Sequence, residues 1–291
     1  MTVFLHAVGF GLATSAILAL AAVAVSLQVS VTNFINFAYG DFMTFGAYIA
    51  WQLDVKGVNI VLAIVIAGAA TGLLGVVANL IVFRPFMRRK VRPVTLLIAG
   101  VGLSFIVQNL IVIIWGAEPK RLVQTLGTSV QVGPFLFTTG DLIMICTAIV
   151  FLVLLHVTFK YTKFGKSLRA TSNNIELAQA CGIDSERIIS ITWFIAGIFT
   201  AVAGVGLVLE ETTLSPTTGF NELFIIFGAV ILGGLGRPYG AMLGALIVGV
   251  LTEVAGQYMN AAYKTSIAFA FVIVLLLFRP QGLFAAKGKT S

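Results

Sequence analysis

The sequence predicts an all-α polytopic membrane protein with about eight to nine transmembrane or re-entrant helices. Three observations carry this. Of 291 residues, 59% are hydrophobic and only 10% charged, against about 25% charged in an average soluble domain, and the mean hydropathy is +1.04. Several apolar runs exceed the roughly 18 residues that mark a membrane span. The runs are continuous, not alternating, which argues against a β-barrel. Residues 1–291 read as one transmembrane domain.

In chain order, the first run covers 3–29. It lacks a basic flank and a small-residue cleavage site, so a retained span is expected rather than a cleaved signal. Region 33–53 is apolar but interrupted by Asn33, Asn36, Tyr39, Asp41, Thr44 and Tyr48, with Gly40 and Gly46 weakening any helix. It crosses once or re-enters. A mid-bilayer aspartate costs about 2.5–3.5 kcal/mol on insertion scales, and such residues usually face a cavity or a partner. Broken helices with exposed backbone are a common way for transporters to hold charged substrates. Asn33, Asn36, Tyr39, Gly40, Asp41, Thr44 and Tyr48 are therefore candidate substrate-pathway residues. The plainer alternative is that the glycines only allow close helix packing and that Asp41 sits at the interface.

Further runs fall at 58–83, 94–115, 141–159, 188–209 and 263–278. Region 223–256 crosses twice or forms a re-entrant hairpin. Its Gly233–Gly240 stretch cannot carry a smooth helix and is expected to be a tight turn.

The basic residues set the sides. Arg84, Arg88, Arg89, Lys90 and Arg92 form one group, Lys160, Lys163, Lys166, Arg169 and Arg187 a second, and Arg279, Lys287 and Lys289 a third. The positive-inside rule places all three groups, and hence the C-terminus, in the cytoplasm. With Arg237 added, 14 of 18 basic residues lie inside, leaving Lys56, Lys120, Arg121 and Lys264 outside. The net charge of +7 is thus explained by orientation in the membrane, and no nucleic-acid partner is implied. Glu210, Glu211, Asn221 and Glu222 fall on the outer side, as solvated loop or as contact for a periplasmic binding protein.

Residues 160–187 form a polar island with eight charged groups, far longer than a minimal helix–helix turn. Asn173 is expected to cap a short helix, with Glu176 as reciprocal partner three residues on. Leu177, Ala178 and Cys181 share one face at helical spacing. Gly182 stands where a left-handed C-cap belongs, and Asp184 or Ser185 caps the next helix. Such a short amphipathic helix docks on a partner or rests on the lipid surface.

The residues alone leave these two open, and a family resemblance decides between them. Leu168-Arg169-Ala170-Thr171, Asn174, Ala178, Gly182-Ile183, Arg187-Ile188-Ile189 and Thr192 resemble the cytoplasmic coupling loop of ABC-importer permeases of the branched-chain amino-acid type. The resemblance extends over nearly the whole chain. "NFINFAYGDFMTFGAYIA" (33–50), Arg84-Pro85, "GLSFIVQN" (102–109), "GAVILGGLGRPYGAMLGALIVGVL" (228–251) and "YKTSIAFAFVIVLLLFRPQGLF" (263–284) are all similar to motifs of that family. Three positions depart from it: Tyr39 stands where histidine is usual, Asp41 where glutamate is, and Ile225 near where many members carry lysine.

The resemblance implies an ABC importer permease fold in a bacterial or archaeal cytoplasmic membrane. It implies a second homologous permease, two cytoplasmic ATP-binding subunits and an extracytoplasmic substrate-binding protein as partners. Arg169, Ala170, Thr171, Asn174, Glu176, Leu177, Ala178, Cys181, Gly182, Ile183 and Arg187 would form the ATPase-coupling loop. Branched-chain or other amino acids are the implied substrates; urea, short amides or small carboxylates are the alternatives, as is a secondary transporter or channel without an ATPase.

Enzymatic chemistry is not expected. "KYTKFGKS" (160–167) ends like a phosphate-binding loop, but Lys160 replaces its first glycine and a span precedes it where a strand is required. ATP and Mg²⁺ would belong to the partner ATPase, with no cofactor on this chain. No catalytic motif or metal-ligand spacing is present. Cys146 and Cys181 are not expected to pair, and His6 and His156 are far apart.

Overall fold

The computed structural model describes residues 2–89, 91–121, 129–132, 135–258, 264–278 and 282. Lys90, Arg279, Lys287 and Lys289 of the basic groups, and the ending at Phe284, lie outside the described residues. The chain is an all-α polytopic membrane protein. Among the described residues, nine helices have 15 residues or more: α1 Thr2–Thr32, α2 Tyr39–Val55, α3 Ile60–Ala78, α5 Pro93–Trp115, α6 Thr139–Tyr161, α9 Ser185–Glu211, α10 Thr218–Gly233, α11 Pro238–Tyr258 and α12 Lys264–Phe278. Short helices α4 (Arg84–Arg88), α7 (Lys163–Asn173) and α8 (Ile175–Ala180) lie between them. A π turn over Asn79–Phe83 carries α3 into α4, making one span of Ile60–Arg88.

Among the described residues, six helices are long and apolar enough to cross a membrane alone. α2, α10 and α12, at 17, 16 and 15 residues, reach about 22–26 Å, short of the ~30 Å hydrocarbon core. For α2 and α10 the difference is made up by non-helical chain. Both elements follow a long helix that ends on a left-handed residue, Asn33 after α1 and Thr212 after α9. Both then begin inside the protein. Segment 33–38 carries buried Phe34, Asn36 and Ala38, and segment 212–217 carries buried Leu214.

The depth of this arrangement can be read from α5. Ser104, midway along α5, donates a hydrogen bond to the Asp41 carboxylate in the first turn of α2. Asp41 is therefore at mid-depth, deeper than an interfacial position. A Cβ on Gly40 would lie 2.6 Å from the Gly219 carbonyl oxygen, so the second residues of α2 and α10 meet backbone to backbone. Thr44 Oγ1 accepts the Gly219 amide hydrogen bond at 2.9 Å. The N-termini of these two short helices thus converge at about the depth of Ser104. Region 33–53 is an irregular segment, 33–38, followed by the helix α2.

The first and later helices form an inverted pair of triplets. α1, α2 and α3 have their counterparts in α9, α10 and α11, which run in the opposite directions. α1 packs on α11 as α9 packs on α3, and α2 meets α10 at the pseudo-axis. This is the inverted-repeat plan of many transporters, in which broken helices meet at the midplane.

The interfaces are made by small residues, as expected where lipid removes the hydrophobic drive for helices to associate. A Cβ on Gly197 of α9 would lie 2.7 Å from the Gly72 Cα of α3, and one on Gly11 of α1 would lie 2.9 Å from the Val250 Cα of α11. α1 and α9 are the most enclosed of the six long apolar helices. The outer faces of α3, α5 and α6 instead expose Val65, Ile66, Ile98, Phe105, Ile106, Val153 and Leu154, as a lipid-facing shell does.

One face gathers the basic segments: Arg84 and Arg88 of α4 both pair with Glu186 of α9, Arg88 Nε at 2.9 Å. On the opposite face the Trp51 indole donates to the Arg121 carbonyl at 3.0 Å, and the Trp115 indole to Gln52 at 2.9 Å. Lys120 and Leu214 exchange backbone hydrogen bonds at 2.8 Å there. That face also carries a two-stranded hairpin, β1 Ser129–Val132 and β2 Phe135–Thr138, with Ser129 opposite Thr138, which the sequence reading did not anticipate. Gly234–Arg237 is the tight turn between α10 and α11, with Gly234 and Gly236 at positive φ.

Gly197→Leu is expected to destabilise the protein by at least about 1–3 kcal/mol, because backbone lies where the side chain must go. Gly102→Leu, with nothing within 4 Å, is expected to stay within about 0.5 kcal/mol. Unfolding in detergent, followed by size-exclusion recovery on heating, distinguishes them.

Candidate functional site

Two regions built by this fold carry the candidate residues. The first is the midplane crossing. The Asn36 side-chain oxygen accepts the Ala38 amide hydrogen bond at 3.1 Å, ending segment 33–38 and launching α2. Asn36, Tyr39, Gly40, Asp41, Thr44 and Tyr48 are all buried. They are enclosed by α5, α9 and α10: Asp41 on Ser104, Thr44 on Gly219, Tyr39 beside Trp193 with ring centroids 6.3 Å apart, and Tyr48 beside Trp115 at 5.4 Å. Asn36 Nδ2, Asp41 Oδ1 and the Tyr48 hydroxyl have no hydrogen-bond partner among the described residues, although a buried polar group left unpaired costs about 1–3 kcal/mol. Asn33 stands apart. It is exposed on the basic face.

Asn221 and Glu222 were expected in an outer loop. They instead lie in α10, within a turn of the Gly219–Gly40 contact and so near mid-depth. Asn221 is exposed and Glu222 half-exposed on the surface of the bundle. Polar groups at that depth normally face a cavity or another protein. Glu210 and Glu211 do end α9 at the opposite face, where the Thr14 hydroxyl donates to the Glu210 carboxylate at 2.6 Å.

The second region is the polar island, which forms two helices where one was expected. Thr162 caps α7, accepting from the Gly165 amide at 3.2 Å. The cap of α8 is Asn174, whose side chain accepts from the Leu177 amide at 2.9 Å. Asn173, the expected cap, ends α7 instead. With the cap moved one residue on, Leu177 takes the N3 position and the expected box with Glu176 is not formed; Glu176 sits in the first turn, near the positive end of the helix. α8 closes in a Schellman motif: Gly182, at φ +82°, bonds to Gln179, and Ile183 to Ala178 at 3.0 Å. Asp184 then caps α9 through the Arg187 amide at 3.0 Å.

The faces of the island are distinct. Thr171 and Ala178 are buried, and Ala170 and Ile183 partly so. Arg169, Asn174, Glu176, Leu177, Cys181, Gly182 and Arg187 are exposed. Leu177, at 63% exposure, is an apolar side chain held out to solvent on a short rigid helix. Leu177 and Cys181 thus do not share a buried face with Ala178. Both cysteines are free and exposed. A cavity of about 520 Å³ between α4, α8 and α9 is lined by Asn33, Arg84, Arg88, Glu176, Gln179 and Glu186, among others. It joins the island to the start of the segment that leads to the midplane.

The family profile described as "Branched-chain amino acid transport system / permease component" matches residues 7–278. The chain belongs to that permease family. The permease is 28% identical to the high-affinity branched-chain amino acid transport system permease protein LivH of Salmonella typhimurium, covering 96% of this chain and 95% of the relative. It is 30% identical to a probable branched-chain amino acid transport permease protein LivH of Methanocaldococcus jannaschii, covering 94% and 90%. Among solved structures, PsaBC from Streptococcus pneumoniae in complex with Fab shares the fold of the permease at a TM-score of 0.52 and 14% identity, covering 94% of this chain and 92% of that one.

Asn174→Ala is expected to remove about 1 kcal/mol from α8, read as faster amide hydrogen exchange at Leu177 and Ala178. Asn173→Ala is expected to leave those amides unchanged.

Proposed function

We propose that this chain is the transmembrane permease subunit of an ATP-driven importer for branched-chain or other amino acids. The observation that carries the reading is α8: a six-residue helix capped at both ends, presenting Leu177 outward, and joined through Asp184 to α9, one of the two most enclosed of the long apolar helices. A cytoplasmic ATPase docks on α8. The basic face, with the C-terminus, is cytoplasmic in a bacterial or archaeal membrane.

The chemistry divides among subunits. ATP and Mg²⁺ act on two ATP-binding subunits, and an extracytoplasmic binding protein delivers substrate to the opposite face. A second homologous permease packs against this one and completes the path. The mid-depth polar residues mark where that path runs. Asn221 and Glu222 present hydrogen-bonding groups at the bundle surface, and the convergent N-termini of α2 and α10 favour a carboxylate nearby. Closure of the ATPase dimer moves α8; α9 follows as a rigid lever and changes the packing on α2 and α3, shifting the path between two arrangements.

The test is co-purification in mild detergent, with the associated chains identified by mass spectrometry. The parent chain is expected to bring down a P-loop ATPase and a second permease. Leu177→Glu, at an exposed position, is expected to keep the chain monodisperse while weakening ATPase association by about tenfold or more. A parent chain that recovers no ATPase contradicts the reading, as does unchanged recovery with Leu177→Glu.

A further inference from the structure

We infer that Asp41 receives the ammonium group of the substrate, so that the path selects α-amino acids; the assignment rests on the importer function proposed above and names the group that reads its substrate.

Asp41 is fully enclosed at the depth of Ser104, in the first turn of α2. The Ser104 hydroxyl donates to Oδ2, and Oδ1 has no hydrogen-bond partner among the described residues. Residues 33–55, 93–119 and 188–236 supply α2, α5, α10 and all of α9 past Arg187, and they contain no lysine, arginine or histidine. The positive end of α2 amounts to about half an elementary charge and is not a full counter-ion. The other two buried acidic residues among those described are placed differently. Asp141 closes a capping box with Thr138 at the start of α6, and Asp54 lies in the last turn of α2. Buried carboxylates are normally paired. An open acceptor oxygen at this depth, with no basic residue on the helices around it, suits a cation that arrives and leaves.

The approach to Asp41 is laid out by helical spacing. Asp41, Phe45, Ile49 and Gln52 follow one another along one side of α2; Phe45 and Ile49 are half-buried and Gln52 is exposed. Ser104, Gln108 and Trp115 do the same on α5, where Gln108 and Trp115 are half-buried. The two sides meet. Phe45 packs edge-on against Trp115 with ring centroids 6.0 Å apart, and the Trp115 indole donates to Gln52 at 2.9 Å. They form a crease that runs from the outer face and is closed at its inner end by Asp41 and Ser104. Its aromatic walls favour an ammonium group in passage, because ring faces attract cations.

The second charge of the substrate is met next to the first. Gly40 precedes Asp41, and its close approach to Gly219 brings the N-termini of α2 and α10 together there. An ammonium on Asp41 leaves the substrate carboxylate beside those positive helix ends. Both charges of a zwitterion are therefore read within one turn of α2. Urea, short amides and small carboxylates have no ammonium group and leave Asp41 unpaired, which is the strong form of discrimination against an analogue.

Uptake by the reconstituted assembly tests the assignment. The permease, its ATPase, the second permease and the binding protein are placed in proteoliposomes with ATP, and radiolabelled leucine and the other standard amino acids are offered. The amino acid taken up fastest is used for the variants. Asp41→Asn keeps the shape and removes the charge. It is expected to cut uptake at least about tenfold, while the purified chain is recovered after heating at least as well as the parent. Asp41→Glu keeps the charge and is expected to retain about a third of the uptake or more. Ser104→Ala removes the hydrogen bond and keeps the charge, and is expected to stay within about threefold of the parent. Uptake by Asp41→Asn within about twofold of the parent overturns the assignment. So does a loss with Ser104→Ala as deep as with Asp41→Asn, or a fall in recovery that matches the fall in uptake, since the role is then structural. Uptake that is lost when sodium chloride is replaced by choline chloride overturns it in favour of a metal cation. A parent assembly that imports no amino acid overturns the importer reading and the assignment together, which separates that failure from the others.

Discussion

Everything in this bundle depends on how closely helix backbones approach where no hydrophobic drive pushes them together. Lipid tails are as apolar as leucine side chains, so helix association in a membrane rests on packing and interhelical hydrogen bonds. α9 is where that constraint is met most fully. Its Gly197 lies against Gly72 of α3, its Gly204 against Met43 of α2, and its Gly206 against Ile17 of α1 and Met144 of α6. A helix fitted to four neighbours in this way has little freedom to deform. It moves as a body or not at all.

That rigidity gives the polar island its meaning. Only Cys181, Gly182, Ile183 and Asp184 separate α8 from α9, and all four are committed to backbone or capping bonds. A displacement of α8 is not absorbed in a flexible tether. The ion pairs of Glu186 with Arg84 and Arg88 extend the same body to the end of the Ile60–Arg88 span. Their side chains are a third or more exposed, so they add at most about 1 kcal/mol; their weight lies in fixing the relative position of α4 and α9. At its far end α9 turns through Thr212 into the segment that re-enters to start α10. One lever therefore reaches from the basic face to the midplane crossing of Gly40 and Gly219.

Much of this was legible in the sequence, and what was not has physical causes. Span positions follow from hydropathy, and the grouping of basic residues on one face follows from their loops. Gly182 announced its cap because its chemistry permits few other roles, whereas the cap of α9 was left between the neighbours Asp184 and Ser185, of which Asp184 takes it. The cap of α8 was misplaced because Asn173 and Asn174 are adjacent and chemically identical; how far α7 runs decides between them. Depth was the least legible quantity. Hydrocarbon looks the same at every level, so nothing local in "TTGFNELF" (217–224) says that the chain has already re-entered when it reaches Asn221 and Glu222. For the same reason the sequence leaves Asp41 open between a mid-bilayer and an interfacial position, and it is the hydrogen bond from Ser104, midway along α5, that favours the deeper one. The inverted repeat leaves only a faint trace in sequence, a glycine second in each half-helix.

The claim that most of this account depends on is that the island faces the cytoplasm and is covered by an ATPase. The protein carries its own probe, since Cys181 is exposed beside Gly182 at the end of α8. With Cys146 replaced by serine, Cys181 is to be labelled with a membrane-impermeant maleimide in inside-out and right-side-out vesicles, with and without the co-purifying ATPase. The account requires labelling in inside-out vesicles only, and protection when the ATPase is bound. Labelling from the outer side, or labelling indifferent to the ATPase, would contradict it.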